Sequence, residues 1–373
     1  ENPVLANVQT LPQYFKESGY YTAGVGKIFH KWKVELDGEG NLETDWPDTA
    51  FSWSDWFNRG IGAGGSSVYS PWSPSAGEIQ FGISRRPLIR QKDYINADFL
   101  ARALETGSAT IFDEVYEEDV TLSLPTEGPF FLGLGFYRPH APFLMPQELL
   151  DLLEVEDITL SDSLRQVFFN DTDDLAMSGK EKVYRVGDEI VGGDMKRVFD
   201  QGASIDPIDG PVTAWKEAVR HYLAGIILMD RSLGRVLDGL DASPYASNTV
   251  VVLFGDHGFH LGEKAWFGKT TLWEESSGTT LLIRSAGGAT ANPGQLRRQV
   301  VSLIDIYPTL VQMAGLPIPS TVSGNDLAPL LADATAPWTG SGLTTARFED
   351  HALRTDAYRY IRFGNSPADA ELY

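Results

Sequence analysis

The sequence has no cysteine. Disulfides and cysteine nucleophiles are therefore excluded within these 373 residues, and the chain does not reveal a redox compartment. Basic residues are scarce as well. Lys and Arg total 30 against 51 Asp and Glu, a formal charge of −21. That balance argues against a nucleic-acid partner, because gripping phosphates takes a basic face. No apolar run approaches the ~20 residues of a membrane-spanning helix, so no membrane partner is expected. No secretory leader is visible at Glu1, although processed chains lose theirs. An anionic ligand would meet a repulsive background. Any anion site must then be a local cluster of Lys, Arg and His.

What is present is a globular composition, 42% hydrophobic and 22% charged, with 37 Gly and 21 Pro. It suffices for a sizeable core and exceeds one minimal domain. Residues 10–19 read as a short helix, with Thr10 as N-cap, Pro12 in the first turn and Gly19 at the end. Tyr20–Gly24 then reads as a strand leading into Gly26-Lys27-Ile28-Phe29-His30. Residues 31–128 read as a loop-rich insertion carrying Trp32, Trp46, Trp53, Trp56 and Trp72, with a helix near Ile95–Leu104. Phe130–Gly135 and Thr249–Phe254 are short apolar runs suited to buried parallel strands, and Leu281–Ile283 is a third. Val212–Leu240 is the clearest helix, with Trp215, Val219, Tyr222, Ile226, Met229, Leu233 and Val236 at three-to-four-residue spacing. Asp305–Ala314 is another helix, closed by Gly315 and Pro317. Short strands at Thr344–Phe348 and Ala357–Phe363 indicate a small terminal sheet. The expected class is α/β: a mostly parallel central sheet flanked by helices, with a small C-terminal antiparallel sheet. The expected division is a catalytic domain over 1–318 and the start of a smaller subdomain over 319–373.

Ligands of such sheets bind beyond the carboxyl ends of strands, so polar residues there carry most weight. Asp256 and His257 follow the Thr249–Phe254 strand and offer a carboxylate and an imidazole to a divalent cation. The alternative is a turn-forming Asp beside a loop histidine. His140 sits in Arg138-Pro139-His140-Ala141-Pro142, where two prolines stiffen the backbone. That suits a general acid, and equally a rigid surface loop. Lys27, His30 and Lys269 follow other strands or polar loops and can hold an anion, although lysines are usually solvated. Together these groups fit hydrolysis of an anionic ester, with cations stabilising the charged transition state.

Several stretches, in order, resemble the type I sulfatases of the alkaline-phosphatase-like superfamily, the iduronate-2-sulfatase and choline-sulfatase branch above all. They are Leu11-Pro12-Gln13-Tyr14-Phe15-Lys16 through His30, then Arg138 to Phe143, and Tyr222-Leu223-Ala224-Gly225-Ile226 with Asp230. Gly255-Asp256-His257-Gly258, Leu261-Gly262-Glu263, Lys269 to Glu275, Asp305 to Leu310 and Glu371-Leu372-Tyr373 continue the series. The resemblance implies that Asp256 and His257 ligate Ca²⁺ and that Lys27 and Lys269 grip the sulfate. It also implies that His30 accepts the nucleophile's proton and that His140 assists the leaving alcohol. The family nucleophile is a formylglycine made from the cysteine of a C-x-P-S-R motif. No such motif occurs here, and Gly278-Thr279-Thr280 stands where relatives carry R-V-P. Truncation at both ends is therefore expected, with the nucleophile and an Asp-Asp metal pair upstream. The expected substrate is a sulfated carbohydrate, such as a 2-sulfated uronate in a polysaccharide. Arg138 together with Arg85, Arg86 and Arg90 would meet its anionic groups and the tryptophans its sugar faces; core packing and surface ion pairs are the other reading of both sets. Location outside the cell or in the periplasm follows from the family. The rivals are a phosphonate or phosphodiester hydrolase of the same superfamily, and a non-catalytic protein that binds sulfated glycans.

Overall fold

The computed structural model describes residues 8–28, 52–57, 67–75, 79–113, 118–159, 183–186, 189–263, 266–288, 293–347, 349–364 and 370–373. His30 and most of the tryptophan-rich stretch from 31 to 66 lie outside them.

Helix α1 (Leu11–Glu17) starts where the Thr10 hydroxyl accepts the Gln13 N–H at 3.2 Å, with Pro12 in its first turn. Strand β1 (Tyr21–Gly26) follows, and β2 (Asp55–Phe57) lies parallel beside it. After β3 (Ser67–Tyr69) and β4 (Phe81–Ser84), helix α2 (Lys92–Thr106) buries Ala97, Phe99, Leu100, Ala103 and Leu104 on one side. A hairpin of β5 (Ser108–Asp113) and β6 (Glu118–Ser123) leads to β7 (Phe130–Gly135). β7 runs parallel to β1 over six pairs, from Tyr21↔Phe130 to Gly26↔Gly135. The edges of these two strands therefore end level, and their following loops face one region. β8 (Phe143–Pro146) pairs in parallel with β4.

A second hairpin, β9 (Val183–Val186) and β10 (Glu189–Gly192), precedes α3 (Gly193–Ile205) and the 32-residue α4 (Gly210–Asp241). α4 packs on both α2 and α3. Its buried Trp215, Val219 and Leu228 join Phe81, Phe143 and Met145 in the larger core cluster. β11 (Val251–Phe254) pairs antiparallel with β14 (Leu281–Arg284), and between them lies a small pair, β12 (His260–Leu261) and β13 (Phe267–Gly268). α5 (Ile306–Met313) comes next, and the chain closes with an antiparallel sheet in the order β15 (Gly342–Arg347), β16 (Asp350–Arg354), β17 (Arg359–Arg362), β18 (Ala370–Leu372). This is the expected α/β class with a terminal antiparallel sheet.

Two of the tryptophans expected to stack on sugars are packed inside instead. Trp53 is 3% exposed, lies 5.8 Å from Trp56 and 6.1 Å from Phe131, and an added Cβ at Gly133 would fall 2.7 Å from its ring. Trp72 packs against the larger core. A flat apolar ring buried between sheet and loop contributes more through removed surface than it would on a wet loop. Among the described residues, no helix is long and apolar enough to cross a membrane.

β7 and β11 each present an edge that no described strand pairs. β7 is only partly buried along all six residues, unusual for so apolar a run. Both strands line one cleft of about 2340 Å³, with α4 and α5 contributing Ile226, Met229, Leu233 and Leu310 to its walls.

Candidate active site

Lys27 directly follows β1, and its backbone N–H donates to Gly135 O at 2.9 Å. The approach is close. A Cβ on Gly135 would fall 1.8 Å from the Lys27 carbonyl oxygen, so only glycine lets the two strand ends meet here. Burial is the main effect that lowers the Lys27 ammonium below its ordinary range; the Lys269 charge acts in the same direction, while Asp256 and Asp93 oppose it. Lys27, Lys269 and Asp256 therefore lie within electrostatic reach of one another.

Asp256 and His257 follow β11 after one residue. The His257 N–H donates to Asp256 Oδ1 at 3.1 Å, and His257 Nδ1 donates to Gly258 O at 2.8 Å. That tautomer leaves the Nε2 lone pair 3.5 Å from Asp256 Oδ2 and 3.3 Å from Lys269 Nζ. A carboxylate oxygen and an imidazole lone pair converging on one point suit a divalent cation, and the side chain of Asp256 is 79% exposed. Two donors do not complete a shell, and no group of three His, Asp or Glu side chains among the described residues does so.

Lys269 ends the β12–β13 pair. The Trp266 indole N–H donates to its carbonyl at 3.2 Å, and the next residue, Thr270, holds φ at 73°, left-handed backbone that threonine rarely adopts. Buried His260 contacts the Thr271 hydroxyl at 2.7 Å and the Glu263 carbonyl at 3.2 Å. The ammonium is thus carried on a turn fixed at both ends.

His140 lies in the loop between β7 and β8. Both of that loop's proline bonds, Arg138–Pro139 and Ala141–Pro142, are cis. His140 Nδ1 donates to Ala141 O at 2.6 Å, and the His140 N–H donates to Tyr137 O at 2.9 Å. An imidazole held this way through Nδ1 presents Nε2 for proton transfer. The Arg138 guanidinium donates through Nη1 to His140 O at 2.7 Å and to Pro142 O at 2.6 Å. That nitrogen braces the loop from within.

Lys27, Arg138, His140, Asp256, His257 and Lys269 all line the one cleft. The cleft is long, so shared lining alone proves little; the contacts around Lys269, His257 and Lys27 carry the proximity. Arg85 and Arg86 follow β4 and are not among the cleft's lining residues.

The sulfatase profile matches residues 2–316, and that of the N-sulphoglucosamine sulphohydrolase C-terminal region matches 262–373. The chain belongs to the sulfatase family. A sulfatase of Formosa agariphila is 29% identical over 97% of this chain and 63% of its own length. Human iduronate 2-sulfatase is 26% identical over 84% of the chain and 56% of its own. The sulfatase chain thus spans about three-fifths of the length of these curated relatives. Solved structures share the alkaline-phosphatase-like fold. A phosphonate monoester hydrolase of Silicibacter pomeroyi aligns at a TM-score of 0.62 with 17% identity, covering 98% of this chain and 74% of its own. A structure in complex with its substrate D-glucosamine-2-N,6-O-disulfate aligns at 0.56 with 19% identity, covering 98% and 75%.

Sequence reasoning missed the support beneath the candidate site. Asp93, 2% exposed in the first turn of α2, accepts the backbone N–H groups of Tyr137 at 2.9 Å and Arg138 at 2.8 Å. Burial raises its carboxyl, and these bonds with the Arg138 and Lys92 charges pull it back. The available signal was a pair of polar residues, Asp93 and Asn96, on the buried face of a helix.

Proposed function

We propose that this chain forms most of a sulfate monoester hydrolase that acts on a sulfated carbohydrate. The observation that carries the reading is the gathering of two lysines and an Asp–His pair at strand ends, within a molecule of charge −21. Like charges are costly to bring together, and a bound anion is what would offset that cost. Lys27 and Lys269 take the sulfate oxygens. His140 gives its proton to the bridging ester oxygen as the alcohol departs. His30 serves as acceptor of the nucleophile's proton. Asp256 and His257 would hold a divalent cation, Ca²⁺ being the proposed ion, which would supply further positive charge beside the anion. Arg138, Arg85 and Arg86 remain proposed contacts to more distant anionic groups.

The edges of β7 and β11 that no described strand pairs support a further element of the reading. A segment outside these 373 residues supplies the nucleophile, a formylglycine, and the remaining metal ligands. The relatives' names point the same way for substrate class: iduronate 2-sulfatase and an N-acetylglucosamine-6-O-sulfatase both carry a sulfated sugar in theirs. A 2-sulfated uronate is the specific proposal, and secretion or export to the periplasm matches an extracellular polysaccharide.

Sulfate release by the complete, matured protein tests the reading. Activated aryl sulfates and sugar sulfates are to be compared for His140→Ala and Lys269→Ala. A general acid matters only when the departing oxygen needs a proton. His140→Ala should therefore slow sugar sulfates by about 10²–10⁴-fold and aryl sulfates much less. Lys269→Ala should slow both, because the sulfate oxygens carry charge whatever leaves. Equal losses for both classes in the His140 variant would remove it from the acid role. Turnover of phosphonate esters alone would reassign the substrate.

A further inference from the structure

Tyr137 stands between two lysines. The Lys92 ammonium donates to its hydroxyl at 3.0 Å and lies 4.1 Å from the ring centroid. The Lys27 ammonium lies 5.7 Å from the same centroid, inside the range in which a ring's negative face attracts a cation. The backbone of Tyr137 is fixed independently by Asp93. The ring lines the cleft, whereas Lys92 is not among the lining residues. Lys92 is mostly buried, and burial pulls its ammonium down to about 8, with Asp93 and Asp113 opposing. An ammonium kept at such a place is costly unless it holds something. What it holds is the phenol.

We propose that Tyr137 is a positioning residue for the anion grip: its ring seats the Lys27 ammonium, and Lys92 acts on Lys27 only through the Tyr137 hydroxyl. The argument is one of geometry. Lys27 has a long flexible stem and, next to Lys269, a like charge that pushes it away. A fixed aromatic face within cation–π range gives the ammonium a favourable contact that offsets that push and confines it to the cleft. The bond from Lys92 fixes the ring's remaining freedom, rotation of the side chain about a backbone that Asp93 already holds. The proposal rests on the reading of Lys27 as a sulfate-binding group.

The test, made on the complete, matured protein, is a double-mutant cycle read by binding of inorganic sulfate in calorimetry, with KM and kcat for an aryl sulfate measured beside it. Lys92→Met and Tyr137→Phe should each weaken sulfate by a similar factor, about three-fold or more, and the double variant should be no weaker than either alone. Tyr137→Leu removes the ring and should weaken sulfate about three- to thirty-fold, the span of a cation–π contact. KM should rise more than kcat falls, because the anion is held in ground state and transition state alike. Lys92→Arg should restore most of the binding, which separates the bond from general destabilisation. Additive losses in the double variant would show that Lys92 acts by its own charge and would overturn the proposal. So would unchanged sulfate affinity in Tyr137→Leu while the unaltered protein binds sulfate. Failure of the unaltered protein to bind or release sulfate would instead sink the functional reading, and this inference with it.

Discussion

His221 shows how one buried side chain can set a pH window far from any chemistry. It is 3% exposed on α4, its Nδ1 donates to Glu217 O at 2.8 Å, and its ring lies 5.1 Å from Phe81. Burial lowers it to about 4 from 6.5, the Arg220 charge adds to that, and the Glu217 carbonyl opposes. The folded protein therefore holds fewer protons at this site than the unfolded chain does between about 4 and 6.5. Its stabilising contribution is complete above 6.5 and is lost as pH falls toward 4. The ceiling is about 3 kcal/mol, from about 1.4 kcal/mol per unit. The neighbouring Glu217 carboxyl, which burial pushes up, works in the opposite sense. Comparing the unaltered protein with His221→Met isolates the histidine: urea melts at pH 7 and pH 4.5 should show a smaller acid loss in the variant. A larger loss would mean that His221 is charged in the fold.

At the scale of elements, the terminal sheet buttresses the loop that carries Lys269. Arg359 on β17 is 8% exposed and donates to Leu272 O at 2.9 Å and Ser277 Oγ at 2.7 Å, and its guanidinium also pairs with Glu274. Leu272 and Trp273 are buried with Ala352, Ile361 and Phe363 of the sheet region. The Arg359→Met variant should lose about 2–4 kcal/mol, since a buried carbonyl and a hydroxyl lose a charged donor. Chemical denaturation would measure the loss, and sulfate affinity should fall with it because Lys269 is reached through this loop. Unchanged stability would mean that the sheet only rests on the loop. This link was not legible beforehand. Leu272 and Arg359 stand 87 positions apart, and nothing local marks an arginine as the brace of a distant turn. The elements themselves were legible where periodicity was strong. The apolar rhythm of Val212–Leu240 becomes α4 within two residues at the start and one at the end, because a three-to-four spacing fits only a helix of that length. Phe130–Gly135 becomes β7 without a shift. The pairs β5–β6 and β9–β10 went unread, being short and without a sustained apolar run.

For the whole molecule, the decisive feature is a cleft lined by β7 and β11, strands of two separate sheets that each keep one edge no described strand pairs. Asp256 and His257 line it too. Asp256 and His257 supply two donors where Ca²⁺ takes about six to eight. These 373 residues by themselves should accordingly bind Ca²⁺ weakly, with titration calorimetry showing no saturation in the micromolar range. Tight stoichiometric binding would contradict the metal assignment, because it would require a complete shell from groups that the described residues do not bring together.

By itself the sequence determined the class of fold and the identity of the polar groups at strand ends. Lys27, His140, Asp256, His257 and Lys269 could be named because each directly follows an apolar strand or stands in a short polar loop, a relation written along the chain. Tertiary structure alone decided which of them meet. The 3.3 Å approach of Lys269 to His257 spans 12 positions, and the seating of Tyr137 by Lys92 and Asp93 spans 45 and 44. Arg138 was read as a substrate contact, and the fold adds a role the sequence did not show: one nitrogen of its guanidinium holds two carbonyls of its own loop. The tryptophans read as sugar platforms are, where described, packed on the sheet and core. A side chain's type limits what it can do, and only the neighbours that folding brings to it settle whether it faces a ligand or the protein.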